Sequence, residues 1–295
     1  MKIKIGYGVL NKKFFADVSL FAVAIGWGYT FVAIKDALVS ITPFNFIAMR
    51  FVISLLLLCL IFRKSLREIT RKELRGGMMI GIFLFFAYAF QTVGLRYTTA
   101  SNAGFITGFS VVLVPVFSAL ILRTRPESES IAGVILASAG LFLLSYNGSF
   151  FLNKGDLLVL LCAICVAFHI ITVGYYSGKS NAVRITIVQI AVVTILSFVC
   201  AIVFEKPQIP SGSSAWSALL VTSIFATVGA YLVQNTMQRF TSPTHTALIF
   251  TGEPVFAGIF GYWLLGEQLA ATATAGCALI LAGMCISELK IFSRE

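Results

Sequence analysis

Long apolar stretches without a polar face recur along the chain. Around Leu20, Phe51, Phe85, Val114 and Val193 the sequence runs through Ala, Val, Leu, Ile and Phe. It lacks the polar positions that a helix on a water-facing surface repeats every three or four residues. A helix that crosses hydrocarbon needs about 20 mostly apolar residues. Ten stretches qualify: 16–35, 43–62, 75–95, 99–122, 130–146, 156–177, 184–204, 214–235, 243–265 and 270–288. Between them lie turn or charge signals at Thr42-Pro43, Arg63 to Arg75, Arg123 to Glu129, Asn147 to Asp156 and Lys206 to Ser214. Fusing spans across 95–99 or 265–270 would give runs too long for a bilayer. The expected class is an all-α membrane protein with ten transmembrane helices.

Composition agrees. Hydrophobic residues make up 58% of the chain and charged ones 12%, whereas a soluble domain carries about 25% charged residues. The first apolar run has no small-residue cleavage site after it, so it is read as a first span rather than a signal peptide. The six cysteines all fall inside apolar runs, including the Cys162/Cys165 pair. A thiolate is disfavoured there, which makes inert buried thiols the expectation and redox or metal chemistry the minor one.

The net charge of +10 would suit nucleic acid, but its distribution suits a membrane better. With the N-terminus in the cytoplasm, 17 of the 22 Lys and Arg residues fall in cytoplasmic segments. Four (Lys35, Arg96, Lys154 and Lys206) lie outside, and Arg50 sits within a span. Loops of a polytopic protein show this bias toward the inside. Both termini are therefore expected in the cytoplasm, the protein in the cytoplasmic (inner) membrane, and nucleic acid is not an expected partner.

The two halves resemble each other. PVFSA at Pro115 to Ala119 recurs as PVFAG at Pro254 to Gly258, and GVILASAG at Gly133 to Gly140 as GCALILAG at Gly276 to Gly283. Gln91, Arg96 and Thr98 recur as Gln234, Arg239 and Thr241, and Asp17 opens span 1 as Asp156 opens span 6. Offsets are 139 residues for the Asp and Pro pairs and 143 for the others, a slip of about one helical turn. Five spans per half is an odd number, so the second half enters the membrane in the opposite sense. The expected organisation is two inverted five-helix repeats, 1–147 and 148–295. Secondary transporters recurrently use this plan, with the substrate site near the midplane between repeats.

Several runs together carry a further likeness. They are WGYTFVAIK at Trp27 to Lys35, Pro43 followed by MRF at Met49 to Phe51, and Tyr97 to Pro126. EPVFAGIFGYWLLGEQL at Glu253 to Leu269, with Gly276 and Gly283, completes the set. In this order and spacing, over about residues 16 to 288, the chain resembles the EamA-type ten-helix members of the drug/metabolite transporter superfamily. The resemblance implies a transporter with a central cavity lined by helices 1, 3, 4, 6, 8 and 9. It leaves the substrate open and favours export over uptake.

Polar groups at membrane depth are costly and tend to face a cavity or a partner. Glu253, directly before Pro254, is a candidate for proton coupling or amine binding, or else a cap for backbone groups freed by the proline. His169 occupies the repeat position of Thr30 and is either a substrate contact or a packed histidine. Arg50 could bind an anionic substrate, but the resemblance favours a structural role, as an ion pair or an interfacial anchor. The remaining candidate substrate-binding residues are Trp27, Tyr29, Thr30, Tyr88, Gln91, Asn102, Tyr231, Gln234 and Asn235. Tyr88 and Gln91, like Tyr231 and Gln234, are three apart and share a helical face. An interfacial aromatic belt is the alternative for residues near span ends.

The glycine pairs Gly133/Gly140 and Gly276/Gly283 are assigned to close helix packing. Gly26 and Gly28 are assigned to crossing or bending of span 1, and Pro115 and Pro254 to kinks. No phosphate-binding loop is present, so ATP-driven transport within this chain is excluded. No cofactor, metal or catalytic set is expected. The expectation is a secondary carrier of small metabolites, amino acids or drugs, working by alternating access, with protons as a candidate coupling ion. An intramembrane enzyme and a passive channel are the alternatives, and oligomeric state is left open.

Overall fold

A computed structural model describes residues 3–98, 100–123, 126–145, 153–265 and 271–288; the side chains of 3–11, 100–102, 144, 145, 265, 273 and 288 fall outside the description. Every regular element among the described residues is helical. Eight helices are long and apolar enough to cross a membrane by length and composition. Two shorter apolar helices, 128–143 and 274–287, stand where spans 5 and 10 are expected.

The first half begins with α1 (Ile3–Ala37) and α2 (Pro43–Ile61), a short α3 (Arg63–Leu66) and α4 (Arg71–Gly94). The fourth predicted span is split into α5 (Ala100–Gly108) and α6 (Ser110–Ile121), followed by α7 (Ser128–Ser145). The second half comprises α8 (Lys154–Ser177), α9 (Ala182–Phe204), α10 (Ser213–Ser223) and α11 (Ala230–Met237), then α12 (Pro243–Phe250), α13 (Gly252–Leu265) and α14 (Ala271–Glu288). Thr70 with Glu73 and Asn153 with Asp156 form capping boxes that start α4 and α8, satisfying amides the first helical turn leaves orphaned.

Three predicted spans are interrupted. In the ninth, Thr251 separates α12 from α13, three residues before Pro254. Proline has no N–H and its ring crowds the carbonyl four residues back, here Phe250, the last residue of α12. In the fourth, Pro115 lies within α6 and the break falls at Phe109. The expected kinks thus lie ahead of the prolines, and Gly104 and Gly108 of α5 sit against Pro254. In the eighth, the sequence shows no such signal, yet Ile224–Gly229 between α10 and α11 is a π-helix.

Helix pairing is decided by small residues. A Cβ on Gly140 would stand 2.6 Å from the Gly276 carbonyl oxygen, and one on Gly133 2.7 Å from that of Gly283. The α7–α14 contact is therefore backbone on backbone, and the numbering runs in opposite directions along it. Gly28 likewise meets the Glu253 carbonyl oxygen at 2.8 Å where α1 crosses α13, while Gly26 faces open space. Only one of these two glycines serves a crossing.

The α2 and α9 helices also run antiparallel, each starting beside the end of the other. Glu205, just past α9, accepts the backbone N–H groups of Phe44 (3.1 Å) and Asn45 (3.0 Å) and the Thr42 hydroxyl (2.6 Å) at the start of α2. At the opposite ends, Glu73 accepts the Asn181 N–H (3.1 Å), and Arg184 pairs with Glu68. The α4 helix packs between α8 and α9, and α1 packs on α13. Helices α2, α7, α9 and α14 stay at the periphery, leaving a space between α1, α4, α5, α6, α8, α11, α12 and α13.

Candidate functional site: a cavity between the helices

That space is a cavity whose empty volume, counting its open mouth, is about 720 Å³. Eight of the eleven candidate residues line it: Trp27, Thr30, Tyr88, Gln91, His169, Tyr231, Gln234 and Glu253. Tyr29 does not. Two residues from Trp27, it turns away and meets the Phe260 ring edge-on, 5.6 Å between centroids. The Asn102 side chain lies outside the described residues. The lining helices correspond to predicted spans 1, 3, 4, 6, 8 and 9.

One wall is aromatic. The Trp27 ring packs on Phe250 at 4.9 Å and on Tyr231 at 5.6 Å, and His169 meets the Tyr231 ring edge-on at 5.8 Å. The Tyr231 hydroxyl donates to the Tyr88 hydroxyl at 2.8 Å. Behind this pair lies Arg50, which is 1% exposed. Its Nη2 donates to the Tyr88 hydroxyl at 3.0 Å and to the Ala226 carbonyl at 3.2 Å, and its Nε to the Thr227 hydroxyl at 2.8 Å. The guanidinium also sits 4.7 Å from the centre of the Tyr88 ring, an attractive cation–π placement.

The contacts of Arg50 differ from the ion pair and the interfacial anchor expected of it. Arg50 is neither an interfacial anchor nor half of an ion pair among the described residues. It needs acceptors instead, and the π-helix supplies them. The Ala230 N–H bonds the Phe225 and Thr227 carbonyls. The Ala226 carbonyl is then taken by the Trp27 indole N–H at 2.9 Å and by Arg50. The interruption in the eighth span thus ties α1, α2 and α4 to the wall of the cavity. Such π-turns often mark functional positions.

The polar lining is sparse. Gln91 donates through Nε2 to the Thr107 hydroxyl at 3.1 Å. Gln234, fully buried, donates through Nε2 to Gln238 Oε1 at 3.1 Å. Glu253, in the first turn of α13, makes no hydrogen bond or ion pair with a described residue, so the capping role has no contact to carry it. Thr107, Ser110, Phe250 and Thr251 also line the cavity, and sequence reasoning missed them. They are small or apolar residues whose types give no sign of which face they occupy. Asn235, next to Gln234, points elsewhere and donates to the Thr186 hydroxyl on α9 at 2.9 Å. Among the described residues no group of three metal-ligating side chains forms, and both Cys162 and Cys165 are free thiols.

Residues 14–146 and 153–288 each match the EamA-like transporter family. The chain belongs to that family. An "uncharacterized transporter" of Archaeoglobus fulgidus is 38% identical over 280 residues, covering 95% of this chain and 88% of that protein. The Bacillus subtilis "uncharacterized transporter YyaM" is 24% identical, covering 90% of this chain and 91% of that protein. Among solved structures, one crystal structure matches with a TM-score of 0.77 at 19% identity over 93% of this chain and 96% of that one, a likeness of fold. Family membership, apolar helices and the cavity together describe a multi-pass membrane transporter of the EamA-like family.

Proposed function

We propose that this EamA-like protein is a secondary carrier, not an enzyme, that moves small metabolites, amino acids or drugs by alternating access. The observation that carries the proposal is the cavity's place between the halves. Trp27, Thr30, Tyr88 and Gln91 come from the first matched segment; His169, Tyr231, Gln234 and Glu253 come from the second. A rocking motion of one half against the other would open such a cavity to alternate sides.

Ten spans in two inverted repeats, divided near residues 147 and 148, fit this mechanism. Each of the two matched segments contains five predicted spans. The α7 and α14 helices, each about 27 Å long at 1.5 Å per residue, are long enough to serve as spans 5 and 10. Antiparallel contacts of α2 with α9 and of α7 with α14 are what spans 2 and 7, and 5 and 10, would make in opposed halves. Thr42 and Asn181, the residues capping α2 and α9, are 139 apart, the offset of the internal repeat.

The charge distribution supports cytoplasmic termini in an inner membrane. Export rests on family likeness. Glu253 and His169 are the candidates for coupling to protons. Counterflow in proteoliposomes tests the carrier reading: a carrier exchanges labelled for unlabelled solute, whereas a channel does not accumulate label and an enzyme alters it. Flux without counterflow for every solute transported sinks the proposal.

A further inference from the structure

The hydrogen bonds around the cavity are lopsided, and the imbalance bears on what it holds. Part of its donor capacity is committed to the protein. Trp27 Nε1 is spent on the Ala226 carbonyl, Gln91 Nε2 on Thr107, and the Tyr231 hydroxyl on Tyr88. The Thr30 and Thr251 hydroxyls bond carbonyls of their own helices, at 2.8 Å and 2.6 Å. Tyr88, which accepts from both Arg50 and Tyr231, and Ser110 keep protons not donated to another described residue, and Gln91 and Gln234 each keep a second amide hydrogen.

The acceptors are not committed. Gln238 Nε2 donates to the Ile170 carbonyl at 2.6 Å, which makes Gln238 Oε1 the acceptor for Gln234 Nε2. That order fixes the Gln234 amide with Oε1 unpartnered and buried. His169 Nε2 is also buried without a partner, a donor or an acceptor according to the ring's tautomer. The Glu253 carboxylate faces the same space with neither hydrogen bond nor ion pair to a described residue. Buried polar atoms left unpaired are costly, so the cavity is built for an occupant that brings donors. A carboxylate in a cavity also lined by Trp27, Tyr231 and Phe250 adds a preference for positive charge and apolar area.

Resting on the carrier reading, we propose that the cargo bears a protonated amine on an aromatic or apolar body, its N–H groups donated to Glu253. The aromatic wall takes the body of the molecule. A carboxylate or phosphate head would meet Glu253 without enough donors to offset the repulsion.

Trp27 reports on occupancy in a background where the exposed Trp216 and Trp263 are changed to Phe. The purified protein is titrated with 2-phenylethylamine, 2-phenylethanol and 3-phenylpropionate, which share a ring and differ in the head group. The amine is expected to bind roughly tenfold or more tightly than the alcohol, the gain of a charge-assisted hydrogen bond, and the acid most weakly. Glu253→Gln should bring amine and alcohol to within about threefold, since the neutral amide keeps only ordinary hydrogen bonding. Equal or tighter binding of the acid, no quenching by the amine at millimolar concentration, or an amine preference that survives in Glu253→Gln overturns the inference. The comparison among probes in the parent protein decides the matter even if that variant fails to fold. Counterflow separates the two readings. Exchange of anionic or neutral solutes but not amines leaves the carrier standing and removes the amine. Amine-selective binding without counterflow of any solute does the reverse.

Discussion

Gly140→Ala adds one methyl group where α7 touches α14. Its Cβ would lie 2.6 Å from the Gly276 carbonyl oxygen and 2.9 Å from the Ile280 backbone nitrogen. Ordinary contact begins near 3.4 Å, so the helices must separate by about 0.8 Å, and backbone atoms cannot swing aside as a side chain can. Overpacking of this kind costs about 1–3 kcal/mol. Alanine returns about 1 kcal/mol of helix propensity. Gly26→Ala supplies the control, because a Cβ there meets nothing within 4 Å and only the propensity gain remains. The difference between the two variants is therefore about 1–3 kcal/mol. Unfolding of both proteins in mixed micelles measures it. Transport per folded molecule should be unchanged in Gly140→Ala, since α7 and α14 do not line the cavity. Equal stability of the two variants would refute the backbone contact.

The tyrosine pair should respond unequally: Tyr88→Phe strips the acceptor from both Arg50 and Tyr231 and costs about 1–3 kcal/mol, while Tyr231→Phe removes a single donor and costs about 0.5–1.5 kcal/mol; the reverse order in the same unfolding assay would contradict the network. Glu253→Gln should abolish any dependence of transport on a proton gradient between about pH 5 and about 8, and a variant that still follows the gradient like the parent eliminates Glu253 as the coupling group. Reporters fused to either terminus should both signal a cytoplasmic location, and a split result would overturn the ten-span count.

Much of the architecture was legible because lipid imposes a length on sequence. Predicted spans 43–62 and 184–204 correspond to Pro43–Ile61 and Ala182–Phe204; a run of apolar residues in hydrocarbon has little choice but a helix. Glycine pairs seven apart announced a packing face in the same way. Most of the cavity candidates were also legible, because a polar or aromatic side chain deep in an apolar run stands out.

The failures share a cause. A helix that is apolar all round carries no stripe that points to its neighbour, so the chain alone could not show that Tyr29 turns to Phe260 while Trp27, two residues before it, closes on Tyr231. Nor did anything in IFATVG foretell the π-turn at Ile224–Gly229.

The apolar runs, their approximate limits and the few costly polar residues within them follow from the order of residues alone, since each answers to the local demand of hydrocarbon. Which faces meet, where Arg50 finds its acceptors and which polar atoms are left unpaired in the cavity depend on residues far apart in the chain. Arg50 and Thr227, separated by 177 positions, meet at 2.8 Å only because α2 and the π-turn are packed together. Local hydropathy holds no record of that meeting; the tertiary structure decides it.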